Sequence, residues 1–121
     1  MTPAQIRNEA AKKLNIFGEG QTLRAEHSAD LDNAYSEIHA ELQHDDMVYW
    51  SGSADIPTRY ENAMIALVAH ARASKYNVPM ERYNQITLEG AGIPGQPGHA
   101  MRTIWKLSEI SKMGSTPIEN F

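Results

Sequence analysis

The fold of this chain is constrained most by two long stretches in which apolar side chains recur at helical spacing. In the first, Leu31, Tyr35, Ile38 and Leu42 are separated by four, three and four residues, and the acidic residues fall mostly on other faces. This spacing predicts an acidic amphipathic helix over roughly 25–44. No segment shows the sustained alternation of apolar and polar residues that is typical of strands, so the pattern indicates an all-α protein.

The second stretch predicts a more apolar helix over 58–76, which we expect at the centre of the domain. Thr58 followed by Glu61 has the spacing of a capping box and is expected to begin it. Its predicted buried face consists of Tyr60, Met64, Leu67, Val68 and Ala71.

Three further helices complete a compact bundle of about five. The first spans roughly 3–14, where Thr2 and Gln5 form a capping box around Pro3. Another begins at Pro79 and ends at Gly90, and the last covers roughly 98–112. We therefore predict one helical domain over 1–112, a Gly/Pro-rich loop before its last helix, and an extended C-terminal arm over 113–121.

Met47–Trp50 is a compact apolar cluster between polar stretches. It predicts a short extended piece or an apolar plug under a loop. We also expect Met47, Val48, Tyr49 and Trp50 to contact a neighbouring subunit or a tail protein, because exposed apolar residues mark such surfaces.

Composition excludes several classes of function. The 121 residues contain no cysteine, which excludes disulfides, thiolate metal sites and cysteine nucleophiles. The net charge of −4 argues against a nonspecific nucleic-acid binder. No apolar run reaches the length of a membrane span and the N-terminus lacks a signal-peptide core, so we expect a protein made in a cytoplasm, with no membrane partner.

The loop GAGIPGQPG contains the letters of a nucleotide fingerprint in Gly90, Gly92 and Gly95. A dinucleotide site needs these glycines after a buried strand, and the segment before them is predicted to be helical. No Gly-Lys-Ser/Thr follows, which excludes a Walker-type phosphate loop. We therefore expect no cofactor, and predict that Gly90, Gly92, Gly95 and Gly98 form a hinge for the last helix and the arm.

Catalytic and metal sites are not predicted. His44, Asp45 and Asp46 offer only a loose cluster at the end of an acidic helix, where solvated side chains are the simpler interpretation. No nucleophile–base motif occurs, so the chain is expected to be non-enzymatic. A small dimeric DNA-binding regulator remains the alternative, because the helices at 58–76 and 79–89 have helix-turn-helix spacing, although the second carries only Arg82 as a basic residue.

The order of these segments resembles the head-to-tail adaptor proteins of tailed bacteriophages, of the tail-accessory or packaged-DNA-stabilisation type. The stretch AQIRNEAAKKLNIFGEG, which continues into the long acidic helix, looks like the opening of that family. RYENAMIALVAHARASKYNVP is similar to its alanine-rich helix, which runs into a proline-containing break. The resemblance covers roughly residues 3–87; the C-terminal extension is shorter than in the family, and the Gly/Pro-rich loop has no counterpart in its pattern.

The resemblance implies a homo-oligomeric ring, most often of twelve copies, in the virion neck beneath the portal protein. Such a ring extends the DNA channel, lets packaged DNA pass without sequence-specific binding, and provides the platform for a tail or nozzle protein. In that family the C-terminal arm reaches the portal. By matching position, the portal-binding residues here are expected to be Ser115, Thr116, Pro117, Ile118, Glu119, Asn120 and Phe121.

Overall fold

The computed structural model describes the backbone of residues 1–17 and 22–115, and the side chains of those residues up to 110. Within these ranges the chain forms five α-helices, one 3-10 turn at Thr58–Tyr60 and one short hairpin, which confirms the predicted all-α class. The helices are α1 (Pro3–Lys13), α2 (Ala25–His44), α3 (Glu61–Arg72), α4 (Met80–Glu89) and α5 (His99–Ser115). The hairpin pairs β1 (Gly92–Ile93) with β2 (Gln96–Pro97) in antiparallel register.

Helix α3 is the centre of the bundle, as the sequence predicts. Every side chain from Ala63 to Ala69 is buried, because α1, α2, α4 and α5 all pack against this helix. A helix that is apolar on all faces requires such covering. The largest fully buried side chains are Ile6, Leu31, Met64, Val68 and Ile104.

The predicted capping box of α1 is present. The Thr2 hydroxyl accepts a hydrogen bond from the Gln5 amide at 3.2 Å, and the Gln5 side chain accepts one from the Thr2 amide at 2.8 Å. The bounds of α2 agree with the predicted 25–44.

The predicted helix over 58–76 is wrong at both ends. Thr58 belongs to the 3-10 turn and makes no side-chain cap, and the Glu61 carboxylate pairs with the Met1 ammonium at 2.7 Å instead of completing a capping box. The regular helix ends at Arg72, and turns follow to Asn77, whose φ is 53°. The chain thus changes direction before Pro79, which is the N-cap of α4.

The last helix is longer than predicted. It extends to Ser115 and so includes the first three residues of the predicted arm. Within the described part of the chain, no helix is both long and apolar enough to cross a membrane.

The Gly/Pro-rich loop is a hairpin that the sequence analysis did not predict. Ile93 pairs with Gln96 across a turn made by Pro94 and Gly95. Gly95 has φ 85°, and a proline followed by a residue at this φ is typical of a type II turn.

Candidate functional site

The cluster Met47–Trp50 is largely an apolar plug, which is one of the two arrangements predicted from the sequence; the other was a short extended piece. Val48 and Trp50 are buried, Met47 is half-buried, and the side chain of Tyr49 is 70% exposed. Val48 and Trp50 are therefore unavailable to a neighbouring molecule, because both belong to the core of this chain. The predicted contact surface is thereby restricted to Met47 and Tyr49.

Trp50 is fixed by hydrogen bonds at both its indole and its backbone. Its indole N–H donates to the Tyr35 hydroxyl at 3.1 Å, and its carbonyl oxygen lies 2.7 Å from Nε2 of the buried His39. Because a carbonyl only accepts, Nε2 of His39 carries the proton. The Tyr60 ring packs at 4.8 Å from the Trp50 ring, between centroids. These contacts position Tyr49 at the surface beside them.

An acidic surface lies on α2. Residues 25–46 contain seven Asp and Glu residues and no Lys or Arg. Near the C-terminal end of α2 the surface forms a shallow hollow of about 510 Å³, lined by Ala40, Glu41, His44 and Asp45. No ion pair involves Glu41 or Asp45 among the described side chains, so the hollow presents both carboxylates to other molecules. We call this the acidic hollow.

A basic and aromatic surface lies on α5. Arg102 and Lys106 are exposed one turn apart, and Trp105 beside them is 38% exposed. Neither cation is in an ion pair within the described part of the chain. We call these three residues the α5 outer face. Helices α2 and α5 each pack against α3 and have little contact with each other, so this face and the acidic hollow are separate surfaces.

A groove runs along another side of α5. One half, a cavity of about 430 Å³, is lined by Ala63, Ala66 and Ala100 and by polar side chains that include Arg59, Asn62, Glu89, His99 and Thr103; we call it the polar half because of these side chains. Its apolar half, about 410 Å³, adjoins it at Arg59 and is lined by Tyr49, Pro57, Thr58, Arg59, Tyr60, Leu107 and Ile110. We call the two halves together the α5 groove. The sequence analysis did not predict this groove, although Thr103, Leu107 and Ile110 have the spacing of residues on one side of a helix.

A partly buried charge network joins α2 to the end of α3. The Asp30 carboxylate accepts hydrogen bonds from Tyr76 at 2.6 Å and Arg72 at 3.1 Å, and Lys75 lies at 3.1 Å. Burial acts to raise the pKa of Asp30, but the hydrogen bonds from Tyr76, Lys75 and Arg72 outweigh it and lower that pKa. Burial together with the Asp30 carboxylate raises the pKa of Tyr76 to about 12. Over 40 residues separate the partners in sequence, so no local pattern indicates this network.

The four predicted hinge glycines lie in and beside the hairpin. Gly90 and Gly98 are buried, and a Cβ on Gly90 would lie 2.7 Å from the His70 Cβ. Gly92 has φ 81°, and a Cβ there would overlap the backbone of Gln96 and Gly98. These three glycines therefore have a packing role in the hairpin. Movement of the hinge stays a prediction.

The predicted portal-binding residues fall at the limit of the structure. Ser115 is the last residue of α5, and Thr116, Pro117, Ile118, Glu119, Asn120 and Phe121 lie outside the described residues. The portal-binding role therefore stays a prediction.

The helix pair considered for DNA recognition is α3 with α4. The Arg82 guanidinium donates to the Lys13 carbonyl at 2.8 Å, so the basic residue of α4 is engaged within the chain. Among the described residues, no group of three or more His, Asp or Glu is arranged to hold a metal ion, and His44, Asp45 and Asp46 form no such group.

Comparisons with known proteins give no support to the resemblance to bacteriophage adaptors. No family model, curated protein or solved structure matches this chain. Membership of the adaptor family therefore stays a prediction from the sequence.

Proposed function

We propose that this chain is a structural subunit that assembles head to tail with copies of itself into a ring, as a connector between the head and tail of a bacteriophage. The single observation that carries this proposal is the pair of oppositely charged surfaces on α2 and α5. The acidic hollow on α2 presents Glu41 and Asp45, and the α5 outer face presents Arg102 and Lys106.

The two surfaces are opposite in charge, and the proposal places the Trp105 ring against the acidic hollow. Trp105 is the exposed aromatic residue of the α5 outer face, and aromatic side chains are frequent anchors of interfaces. The hollow is shallow and has the small side chain of Ala40 in its lining. Opposite charges around this contact would fix its register and suppress other pairings.

A contact between two different surfaces of identical subunits is heterologous, and heterologous contacts generate rings when the rotation between subunits closes. The hollow and the outer face lie on two helices that have little contact with each other, so both surfaces are free in each subunit. Every copy can therefore bind one neighbour through α2 and another through α5.

The phage setting of the proposal rests on the sequence resemblance. In that setting the ring would sit beneath the portal, with residues 113–121 as the arm that docks there and a tail or nozzle protein on the opposite side. Packaged DNA would pass through the ring without sequence-specific binding, for which an acidic chain is suited.

Imaging by electron microscopy tests the proposal, with the purified chain examined alone and after mixing with the portal protein of the phage. We expect closed rings, alone or on the portal. A chain that forms no ring under either condition, and instead binds duplex DNA with a steep salt dependence, would contradict the connector and favour the DNA-binding regulator.

A further inference from the structure

The apolar half of the α5 groove exposes large apolar side chains. The side chains of Tyr49 and Ile110 are 70% and 49% exposed, and Leu107 lies half-buried in the same lining. Apolar side chains exposed together on one surface are a feature of interaction sites.

We propose that residues 116–121 of the same chain, Thr-Pro-Ile-Glu-Asn-Phe, fold back from the end of α5 and occupy this groove. The segment follows Ser115 directly. Ile110 lies five residues earlier in α5, a rise of about 7.5 Å along the helix. Six extended residues span up to about 20 Å, so the segment reaches Ile110 and Leu107.

The chemistry of the segment matches the lining of the groove. Ile118 and Phe121 supply two apolar side chains for the surface formed by Tyr49, Leu107 and Ile110. Glu119 lies between them in sequence, and Arg59 lies where the apolar and polar halves of the groove meet. No acidic side chain pairs with Arg59 in the described part of the chain, which leaves its guanidinium for Glu119.

The sequence that follows Ser115 favours an end to the helix. Pro117 has no backbone N–H and disfavours the helical conformation for Thr116 before it. The sequence therefore predicts that the helix of α5 does not continue through Pro117.

This inference stands apart from the proposed ring, because it involves one copy of the chain and no portal. If the ring proposal also holds, the groove stores the portal-binding arm before assembly. Occupied in this way, the groove would not be available to other apolar surfaces.

Paramagnetic relaxation enhancement on the full-length chain tests the inference. The chain has no cysteine, so Asn120→Cys provides one attachment site for a nitroxide. We expect the amide signals of Tyr49, Arg59 and Leu107 to lose most of their intensity, and those of Glu81 on the exposed side of α4 to keep theirs. The same nitroxide on a chain that also carries Ile118→Ser and Phe121→Ser should restore most of the Tyr49 and Arg59 intensity and leave Glu81 unchanged, whereas Leu107 stays within reach of the tethered nitroxide.

A mixture of nitroxide-bearing chain and isotope-labelled chain without nitroxide separates the alternatives. Loss of groove signals from the labelled chain of the mixture, which carries no nitroxide of its own, would assign the groove to the segment of a second copy and overturn the inference. Groove signals that keep their intensity in both samples would also overturn the inference. A measurement on the untagged chain checks that the nitroxide has not itself displaced the segment: in an empty groove, Phe121→Ala shifts the Leu107 and Ile110 resonances no more than the control Asn120→Ala does.

Discussion

Gly98 and Gly90 are in direct backbone contact across the base of the hairpin. A Cβ on Gly98 would overlap the carbonyl oxygen of Gly90 and lie 2.7 Å from its carbonyl carbon. Because both partners are backbone, neither can move aside as a flexible side chain would. The hairpin thereby fixes where α5 begins, relative to the end of α4.

Substitution of Gly98 by alanine should destabilise the chain by about 2–3 kcal/mol, since added atoms in a closely packed site force the backbone to shift. The matched control is Gly95→Ala, where a Cβ meets nothing within 4 Å and only the positive φ is unfavourable, at about 1–2 kcal/mol. Urea unfolding of both variants measures the difference. A Gly98→Ala variant as stable as the parent would show that the backbones are not in contact.

Tyr35→Phe should cost about 1–3 kcal/mol, because it leaves the buried indole N–H of Trp50 without its acceptor. Tyr49→Phe is the control and should change the free energy of unfolding by less than about 0.5 kcal/mol, since that side chain is exposed. Equal effects of the two substitutions in thermal or urea unfolding would contradict the hydrogen bond from Trp50.

Asp30→Asn should cost about 1–3 kcal/mol at neutral pH, because Arg72 and Lys75 lose the carboxylate that they share. The pKa of Asp30 is lowered in the folded chain, so its contribution is present above about pH 4 and is lost as the pH falls through the folded pKa. The control Asp32→Asn, at a more exposed ion pair with Arg7, should cost less than about 1 kcal/mol. If Asp32→Asn proves the more costly of the two, the network does not join α2 to α3 as described.

His70 should make the chain less stable as the pH falls below neutral. Burial lowers its pKa, and its Nδ1 accepts a hydrogen bond from the Ala91 amide at 3.3 Å, so the folded state favours the neutral ring. This contribution is present above the unfolded pKa of about 6.5 and is lost as the pH falls toward the folded pKa.

Urea unfolding at about pH 7.5 and about pH 5 measures this dependence on His70. His70→Asn keeps an acceptor for Ala91 and should flatten the pH dependence, whereas His44→Asn at an exposed position should not. A pH dependence that survives in His70→Asn would contradict the account.

Elements with a strong local signal were predictable from the sequence. The apolar spacing around Leu31 and Leu42 gave α2 its correct bounds, and the Thr2–Gln5 capping box located the start of α1. The start of α3 was not predictable in this way, because the Glu61 carboxylate bonds to Met1 rather than capping the helix. Pro94 followed by Gly95 is itself a turn signal, so the hairpin was within reach of sequence reasoning.

The candidate surfaces were harder to predict because they depend on contacts distant in sequence. The apolar run at Met47–Trp50 does not indicate that Trp50 turns inward, since this depends on the hydroxyl of Tyr35 and the ring of His39. The acidity of α2 was visible in the sequence. The α5 outer face could not be predicted from the sequence, because the packing of α5 on α3 determines which side of α5 is exposed.

The ring proposal is tested most directly by reversing the charges of its two surfaces and measuring, by electron microscopy, the fraction of the chain that is in rings. If the parent chain forms rings only with the portal protein, the portal is present in every sample. We expect Glu41→Lys with Asp45→Lys, or Arg102→Glu with Lys106→Glu, to reduce that fraction strongly, while the control Glu81→Lys on α4 does not. The chain with all four reversals should recover ring formation, because each interface then again joins opposite charges. Rings formed equally well by both double variants, or no recovery with all four reversals, would contradict the head-to-tail contact between α2 and α5.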